Sequence, residues 1–198
     1  TVNQGSGALA VTNGLTITAA QIPTLAYVPA ANANGPARST FSFTVNDSGL
    51  GTVAATISIS VTAVNVAPVR TGGTLTAISV NEDSANTTAV TLGLAGLTYA
   101  SGPATATDES GQTLTYTVTT IPAFVKIFKL DGTTEVTAGN TVTAAELTGL
   151  KYKTLANANG SGNLVLTVTD SGSGTAPNVN TLVENLSISV TAVNDAPV

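Results

Sequence analysis

The chain has 198 residues and a formal net charge of −5, and only 9 % of its residues are charged, against roughly 25 % in ordinary globular domains. Histidine and cysteine are absent, which excludes imidazole general bases, thiol nucleophiles and disulfides. The six basic residues form no run, so the sequence lacks the cationic footprint of a nucleic-acid-binding protein. No apolar segment reaches the roughly 18 residues of a membrane-spanning helix, so we expect no membrane insertion.

Short segments that alternate apolar and polar residues follow one another along the chain. In chain order they are "FSFTV" (41–45), "TLTYTVT" (113–119), "NLVLTVT" (163–169) and "NLSISVTAV" (185–193), and "LTAISV" (75–80) is read as the first strand of the second repeat. Asn-Gly and Asp-Gly turn signals separate many of them. The pattern predicts an all-β chain of antiparallel strands in Greek-key, immunoglobulin-like sandwiches. One helical turn is expected at "TAAEL" (143–147), where Thr143 and Glu146 have capping-box spacing.

An internal repeat connects the two parts of the chain. "ISISVTAVNVAPV" (57–69) returns as "LSISVTAVNDAPV" (186–198), with differences only at Ile57/Leu186 and Val66/Asp195. Three earlier pairs of segments also match: 18–27 with 143–152, 31–35 with 156–160, and 44–49 with 167–172. The offset is 125 residues for the first two pairs, then 123, then 129 for the closing phrase. This drift is typical of strands that are kept and turns that vary.

The repeat predicts two domains with a boundary at "NVAPVR" (65–70), where Pro68 stiffens an extended connection. Residues 70–198 form a complete repeat, and residues 1–69 form the C-terminal part of a preceding one. Nothing in the first repeat corresponds to 70–130. We therefore expect that the chain begins within a repeat, or that another polypeptide supplies the missing strands.

Several of these segments together resemble a known family. "NEDS" (81–84), "TAAELTGLKY" (143–152), "ANANG" (156–160), "LTVTDSG" (166–172) and "VNDAPV" (193–198) are similar to cadherin-like tandem repeats of the VCBS type. Such repeats occur in very large bacterial surface and secreted adhesins. The resemblance implies a cadherin-like Greek-key β-sandwich that serves extension or adhesion, binds Ca²⁺ near domain junctions in many members, and catalyses nothing. It also implies an extracellular location at the bacterial cell surface, with neighbouring repeats, surface glycans or surface proteins as partners.

Acidic residues concentrate at the predicted strand ends, where Ca²⁺ finds carboxylate and carbonyl oxygens. Because successive loops of a sandwich alternate between its ends, the acids fall into two groups. The near end is expected to hold Asp108, Glu109 and Asp170 facing the linker residue Asn65, with Asp47 as the first repeat's counterpart of Asp170. The far end is expected to hold Glu82, Asp83, Asn194 and Asp195.

Val66 replaces the aspartate of the closing phrase, so the connection at 65–70 is expected to bind Ca²⁺ weakly or not at all. Where Ca²⁺ binds, an affinity of about 10⁻⁴–10⁻³ M is expected for an extracellular module. A simpler interpretation stays open, because Asp and Asn in short turns also cap local backbone groups.

Three other functions remain as alternatives. A filament subunit would have its incomplete repeat completed by strands of a neighbouring chain. A carbohydrate-binding module would use the sandwich as a scaffold for a sugar site. A carboxylate-pair glycosidase is disfavoured, because Asp108 and Glu109 are adjacent and diverge on an extended backbone, and the chain has no tryptophan.

Overall fold

The computed structural model describes residues 2–3, 8–46 and 51–195. The chain divides into two compact units, Thr1–Ala63 and Val64–Val198. Strands make up most of the ordered elements, so the predicted all-β class is confirmed. Residues 64–69, which the sequence assigns to the end of the first repeat, belong to the second unit and are called the connecting segment below. None of the helices in the described residues is long and apolar enough to cross a membrane.

The first unit is built from two strand pairs and one short helix. Its elements are β1 (Val2–Asn3), β2 (Ala8–Leu9), a 3₁₀ helix (Ala19–Thr24), β3 (Gly35–Asn46) and β4 (Thr52–Val61). Strands β1 and β2 pair with each other, and β3 and β4 form a long antiparallel hairpin. In the hairpin Phe41 lies opposite Ile57 and Phe43 opposite Ala55, so their side chains share one face.

This apolar face of the β3–β4 hairpin has no core beneath it. Val45, Val53 and Ile57 keep 56 %, 69 % and 50 % of their surface exposed. No residue among 10–46 and 51–63 is buried. A two-stranded hairpin with an uncovered apolar face is marginally stable in water. The period-two pattern therefore fixes which residues share a face, whereas burial depends on a partner.

The second unit contains eleven strands and two short helices in its described residues. The strands are β5 (Val69–Gly72), β6 (Ile78–Asn81), β7 (Val90–Thr91), β8 (Thr98–Ala100), β9 (Leu114–Thr120), β10 (Val125–Phe128), β11 (Glu135–Val136), β12 (Thr141–Val142), β13 (Lys151–Thr154), β14 (Gly160–Asp170) and β15 (Thr181–Thr191). The helices are a 3₁₀ turn (Thr107–Glu109) and α1 (Ala144–Thr148). Five strands form one sheet in the order β12-β9-β14-β15-β6, four form another in the order β11-β10-β13-β7, and β5 pairs with β8.

One hydrophobic core joins the two larger sheets of the second unit. Leu164, Leu186 and Ile188 of the five-stranded sheet are at most 1 % exposed. They belong to the same cluster as Ile127 and Tyr152 of the four-stranded sheet. Alternate residues of β14 and β15 point away from this core, as the period-two pattern predicts.

In the described part of the second unit one pairing departs from the predicted antiparallel pattern. Strand β6 runs parallel to β15, with Ile78 beside Ile188 and Val80 beside Val190. The long chain between the two strands permits the crossover that a parallel pair requires. The C-terminal ends of both strands therefore lie at the same end of the sheet, which places Glu82 next to the residues that follow β15.

The predicted capping box at the start of α1 is confirmed. Glu146 N–H donates to Thr143 Oγ1 (3.2 Å), and Thr143 N–H donates to Glu146 Oε2 (2.8 Å). Lys129 Nζ donates to the other carboxylate oxygen, Oε1, at 2.7 Å. The matching helix of the first unit has Gln21 at the position of Glu146, and its Oε1 accepts from Thr18 N–H at 2.8 Å. The cap is therefore common to both repeats, but only the second carries a charge.

This difference leads to a pH prediction. Hydrogen bonds from Lys129 and from Thr143 N–H lower the pKa of Glu146 from 4.5 to about 2. Because the folded pKa is depressed, this stabilisation is present above the unfolded value and is lost as pH falls toward 2. Glu146→Gln should remove that part of the acid dependence while keeping the cap. Urea midpoints of both chains at pH 7, 4 and 2.5 would measure it, and parallel curves would contradict it.

Candidate functional site

The connecting segment is anchored to the second unit through Asn65, which is 9 % exposed. Its backbone N–H donates to Asn178 Oδ1 (2.8 Å), and its carbonyl accepts from Val179 N–H (2.9 Å). Its side-chain Nδ2 donates to Asp170 Oδ1 (3.0 Å) and to the Val179 carbonyl (2.8 Å). Its Oδ1 accepts from Gln112 Nε2 at 2.6 Å. Both the backbone and the side chain of Asn65 are thus held by the end of β14 and the loops beside it.

The next residue is held by a buried glutamate. Val66 N–H donates to Glu109 Oε1 at 2.7 Å, and Glu109 is only 1 % exposed. Glu109 closes the 3₁₀ turn Thr107–Glu109, and its carbonyl accepts from Ser101 Oγ at 2.7 Å. Gly102 packs so close that a Cβ there would overlap Glu109 Oε2. The short turn and this glycine together leave room for the carboxylate beneath the connecting segment.

Among the described residues neither Glu109 nor Asp170 forms an ion pair with a lysine or arginine. Glu109 Oε2, Asp170 Oδ2 and Gln112 Oε1 are buried and have no hydrogen-bond partner among the described residues. Burial raises the pKa of Glu109, and the negative charges of Asp108 and Asp170 raise it further, against the opposing hydrogen bond from Val66 N–H. Two buried carboxylates with unused oxygens favour uptake of a cation.

The near-end residues predicted from the sequence are found in part at one place. Asn65, Glu109 and Asp170 lie together, joined by the hydrogen bonds described above. Asp108 is exposed and acts on Glu109 only through its charge. Asp47 lies outside the described residues. In the described ranges no three acidic, histidine or cysteine side chains are grouped to hold a metal ion, so any ion here would need amide, carbonyl or water oxygens as well.

The far end of the unit also has a buried glutamate, which is hydrogen-bonded to the second copy of the repeated phrase. Glu82 is 6 % exposed, and its backbone N–H donates to the Thr191 carbonyl at 2.9 Å. Its Oε1 accepts from Val193 N–H (2.7 Å) and its Oε2 from Asn159 Nδ2 (3.2 Å). Both oxygens of this carboxylate are therefore used, in contrast to those of Glu109.

The other three far-end residues do not join Glu82 in a common set of contacts. Asp83 Oδ1 accepts from Asn86 Nδ2 (3.1 Å) and from Asn157 N–H (3.3 Å), which makes it a link between two turns. Asn194 and Asp195 are exposed, and Asn194 Nδ2 donates to the Asp195 carbonyl. The metal-ligand role of all four residues stays a prediction.

Three residues of the two sites were not selected from the sequence: Gln112 and Asn178 at the near end, and Asn159 at the far end. A signal for Asn178 exists in the repeat. The offset between repeats grows from 123 to 129 residues between "TDSG" and the closing phrase, so the second repeat has six additional residues there. That longer loop contains Asn178 and Val179, both bonded to Asn65. The growth of the offset, which is attributed above to variable turns, therefore comes from a loop that anchors Asn65.

Comparisons with known proteins assign this chain to no group. No family model matches it, no curated protein sequence matches it, and no solved structure matches it. The functional argument therefore rests on the contacts described above.

Proposed function

We propose that the chain is part of a tandem array of cadherin-like, Greek-key β-sandwich modules with a structural and adhesive role in a large extracellular bacterial protein. The carrying observation is that buried glutamates accept backbone N–H groups from both copies of the repeated phrase, Glu109 from Val66 and Glu82 from Val193. A module that binds the chain where it enters and where it leaves is suited to serial connection. Its partners would be neighbouring modules of the same or another chain, and its role would be mechanical rather than catalytic.

Chain entropy opposes a fixed connection between two modules. A free linker residue loses roughly 1–2 kcal/mol when its backbone is fixed. At Asn65 this cost is offset by five hydrogen bonds, of which the one to Asp170 is charge-assisted. The connection is thereby restrained where it enters the module. In repeat arrays such nearest-neighbour terms determine the stiffness and stability of the whole.

Calcium fits the near end by the chemistry of its donors. Ca²⁺ takes six to eight oxygen ligands. Glu109 and Asp170 would hold it with their unused carboxylate oxygens, and the free Gln112 Oε1 is a further donor. The bound ion would compensate the negative charge of Glu109, whose pKa is raised first by burial and then by the charges of Asp108 and Asp170. The expected consequence is a more rigid attachment of Asn65 and Val66.

A calcium titration of the full chain tests this proposal. Because Val66 supplies no carboxylate, the site is expected at the weak end of the extracellular range, about 10⁻³ M, and between chelator and ~10 mM Ca²⁺ the unfolding free energy should rise by about 1–1.5 kcal/mol. Glu109→Gln and Asp170→Asn should each remove most of the rise. Thermal and urea unfolding at several Ca²⁺ concentrations provide the measurement.

Glu135→Gln is the matched control, because Glu135 is an exposed partner of Lys126 on the four-stranded sheet. It changes the net charge as Glu109→Gln does, so it should keep the full response to Ca²⁺. A rise of equal size in all three variants would indicate non-specific ion binding and would contradict the near-end site.

A further inference from the structure

The two long strands of each unit are equivalent position by position. In the first unit Phe41 pairs with Ile57 across the β3–β4 hairpin, and in the second Leu164 pairs with Leu186 between β14 and β15. The same register continues from Ser39 to Asn46, where the 123-residue offset relates β3 to β14 and the 129-residue offset relates β4 to β15; the bulge between Gly35 and Ser39 has no counterpart in the β14–β15 pair. The two pairs are therefore the same substructure in two different surroundings.

Burial differs sharply between these equivalent positions. Leu186 is 1 % exposed and its counterpart Ile57 is 50 % exposed, while Val168 is 1 % exposed and its counterpart Val45 is 56 % exposed. The difference comes from surroundings, because the residue types are the same or nearly so. In the second unit β14 pairs with β9 on the side away from β15, and β15 pairs with β6 on the side away from β14. The four-stranded sheet contributes to the same core. The second unit thus shows what covers this pair.

We propose that the apolar face and both edges of the β3–β4 hairpin bind a polypeptide segment of the kind seen at residues 70–125. Its first strand, rich in Ile and Val like β6, adds in parallel beside Ile59 and Val61. A longer threonine-rich strand like β9 adds antiparallel along β3. The inference extends the module function proposed above, on which it rests, and names the chemistry of the partner that completes the first unit by strand addition.

The direction of the first added strand follows from the register of the second unit. Ile78 lies beside Ile188, and Val80 beside Val190. The counterparts of Ile188 and Val190 on β4 are Ile59 and Val61. The added strand needs Ile and Val at alternate positions, because a shift by one residue turns these side chains away from the core. Most unrelated peptides lack this pattern and are therefore excluded.

The experiment uses an extended chain in which a copy of residues 70–125 precedes Thr1. This length keeps the 125-residue offset that relates Thr18 to Thr143. Hydrogen exchange with mass spectrometry follows the amides of 39–46 and 52–61, and those of β14 and β15 serve as an internal reference for folding. Exchange in the hairpin should slow by at least about 100-fold relative to the original chain, as expected when a locally open segment joins a core.

Two variants of the extended chain separate this proposal from general compaction. Ile57→Asp places a charge on the apolar face and should abolish the new protection. Ser58→Asp places the same charge on the opposite face of β4 and should leave it. Unchanged hairpin exchange in the extended chain would overturn the proposal. Concentration-dependent protection of the hairpin in the original chain, with exchange in β14 and β15 unchanged, would overturn it in favour of pairing between the hairpins of two copies. The hydrogen-exchange measurements on the extended and original chains do not require Ca²⁺, so a negative result for the hairpin is distinct from a negative result for the near-end calcium site.

Discussion

Replacing Leu186 by alanine should lower the unfolding free energy of the second unit by about 2–5 kcal/mol, as for other buried leucines. Leu186 is 1 % exposed within the core shared by the two larger sheets, so truncation leaves a cavity there. Its counterpart in the first unit, Ile57, is 50 % exposed, and Ile57→Ala should cost less than about 1 kcal/mol. The same position in the repeat thus has two very different energetic roles.

Urea unfolding of the full chain measures both losses. No residue among 10–46 and 51–63 is buried, so the cooperative transition is assigned to the second unit. Leu186→Ala should move its midpoint strongly and Ile57→Ala should leave it in place. Equal shifts for the two variants would mean that the hairpin already contributes to a common core.

The second large effect is expected at Val66, where the other copy of the phrase has Asp195. The backbone N–H of Val66 donates to Glu109, and its Cγ2 would lie 3.2 Å from a Cβ placed on Gly102. Val66→Asp therefore adds a carboxylate next to Glu109, at the end of the unit that also holds Asp170. In chelator this change should destabilise the unit by about 1–3 kcal/mol, because like charges then crowd a desolvated site.

Calcium should offset part of this penalty. A third carboxylate raises the ligand charge of the near end, so Val66→Asp should bind Ca²⁺ about tenfold more tightly than the natural chain, which corresponds to about 1.4 kcal/mol. Calcium-dependent unfolding of both chains provides the comparison. Asp195→Val is the control, since Asp195 is exposed and its loss should change stability by less than about 0.5 kcal/mol. An equal penalty for Val66→Asp with and without Ca²⁺ would contradict a cation site.

Local sequence signals predicted the strands and the capping box because they act over a few residues. Alternation placed β9, β14 and β3, and the Thr143–Glu146 spacing placed α1. Loop alternation also placed Asn65, Glu109 and Asp170 at one end of the unit, where hydrogen bonds connect them to the connecting segment, whereas Asp108 of the same predicted group is exposed. These features require only the period of a strand, the spacing of a cap and the order of loops.

Features that depend on the surroundings could not be predicted in the same way. The apolar residues of β4 and β15 are nearly identical, so alternation cannot tell that Leu186 is buried and Ile57 is not. The parallel pairing of β6 with β15 depends on a distant crossover that no local pattern reports. The buried, unpartnered Glu109 Oε2 depends on the close approach of Gly102, which is a tertiary contact.

The anchoring of Asn65 determines how a stretched chain would transmit force. Asn65 is bonded to Asn178 and Val179, immediately before β15, and Glu82 is bonded to Val193, immediately after it. Tension that enters at Asn65 and leaves at Val193 therefore runs along the backbone of β15. Because β6 is parallel to β15, pulling the chain at its two ends slides these strands past each other and strains their hydrogen bonds together. Under such a pull the unit would resist extension through β15 and its pairing with β6.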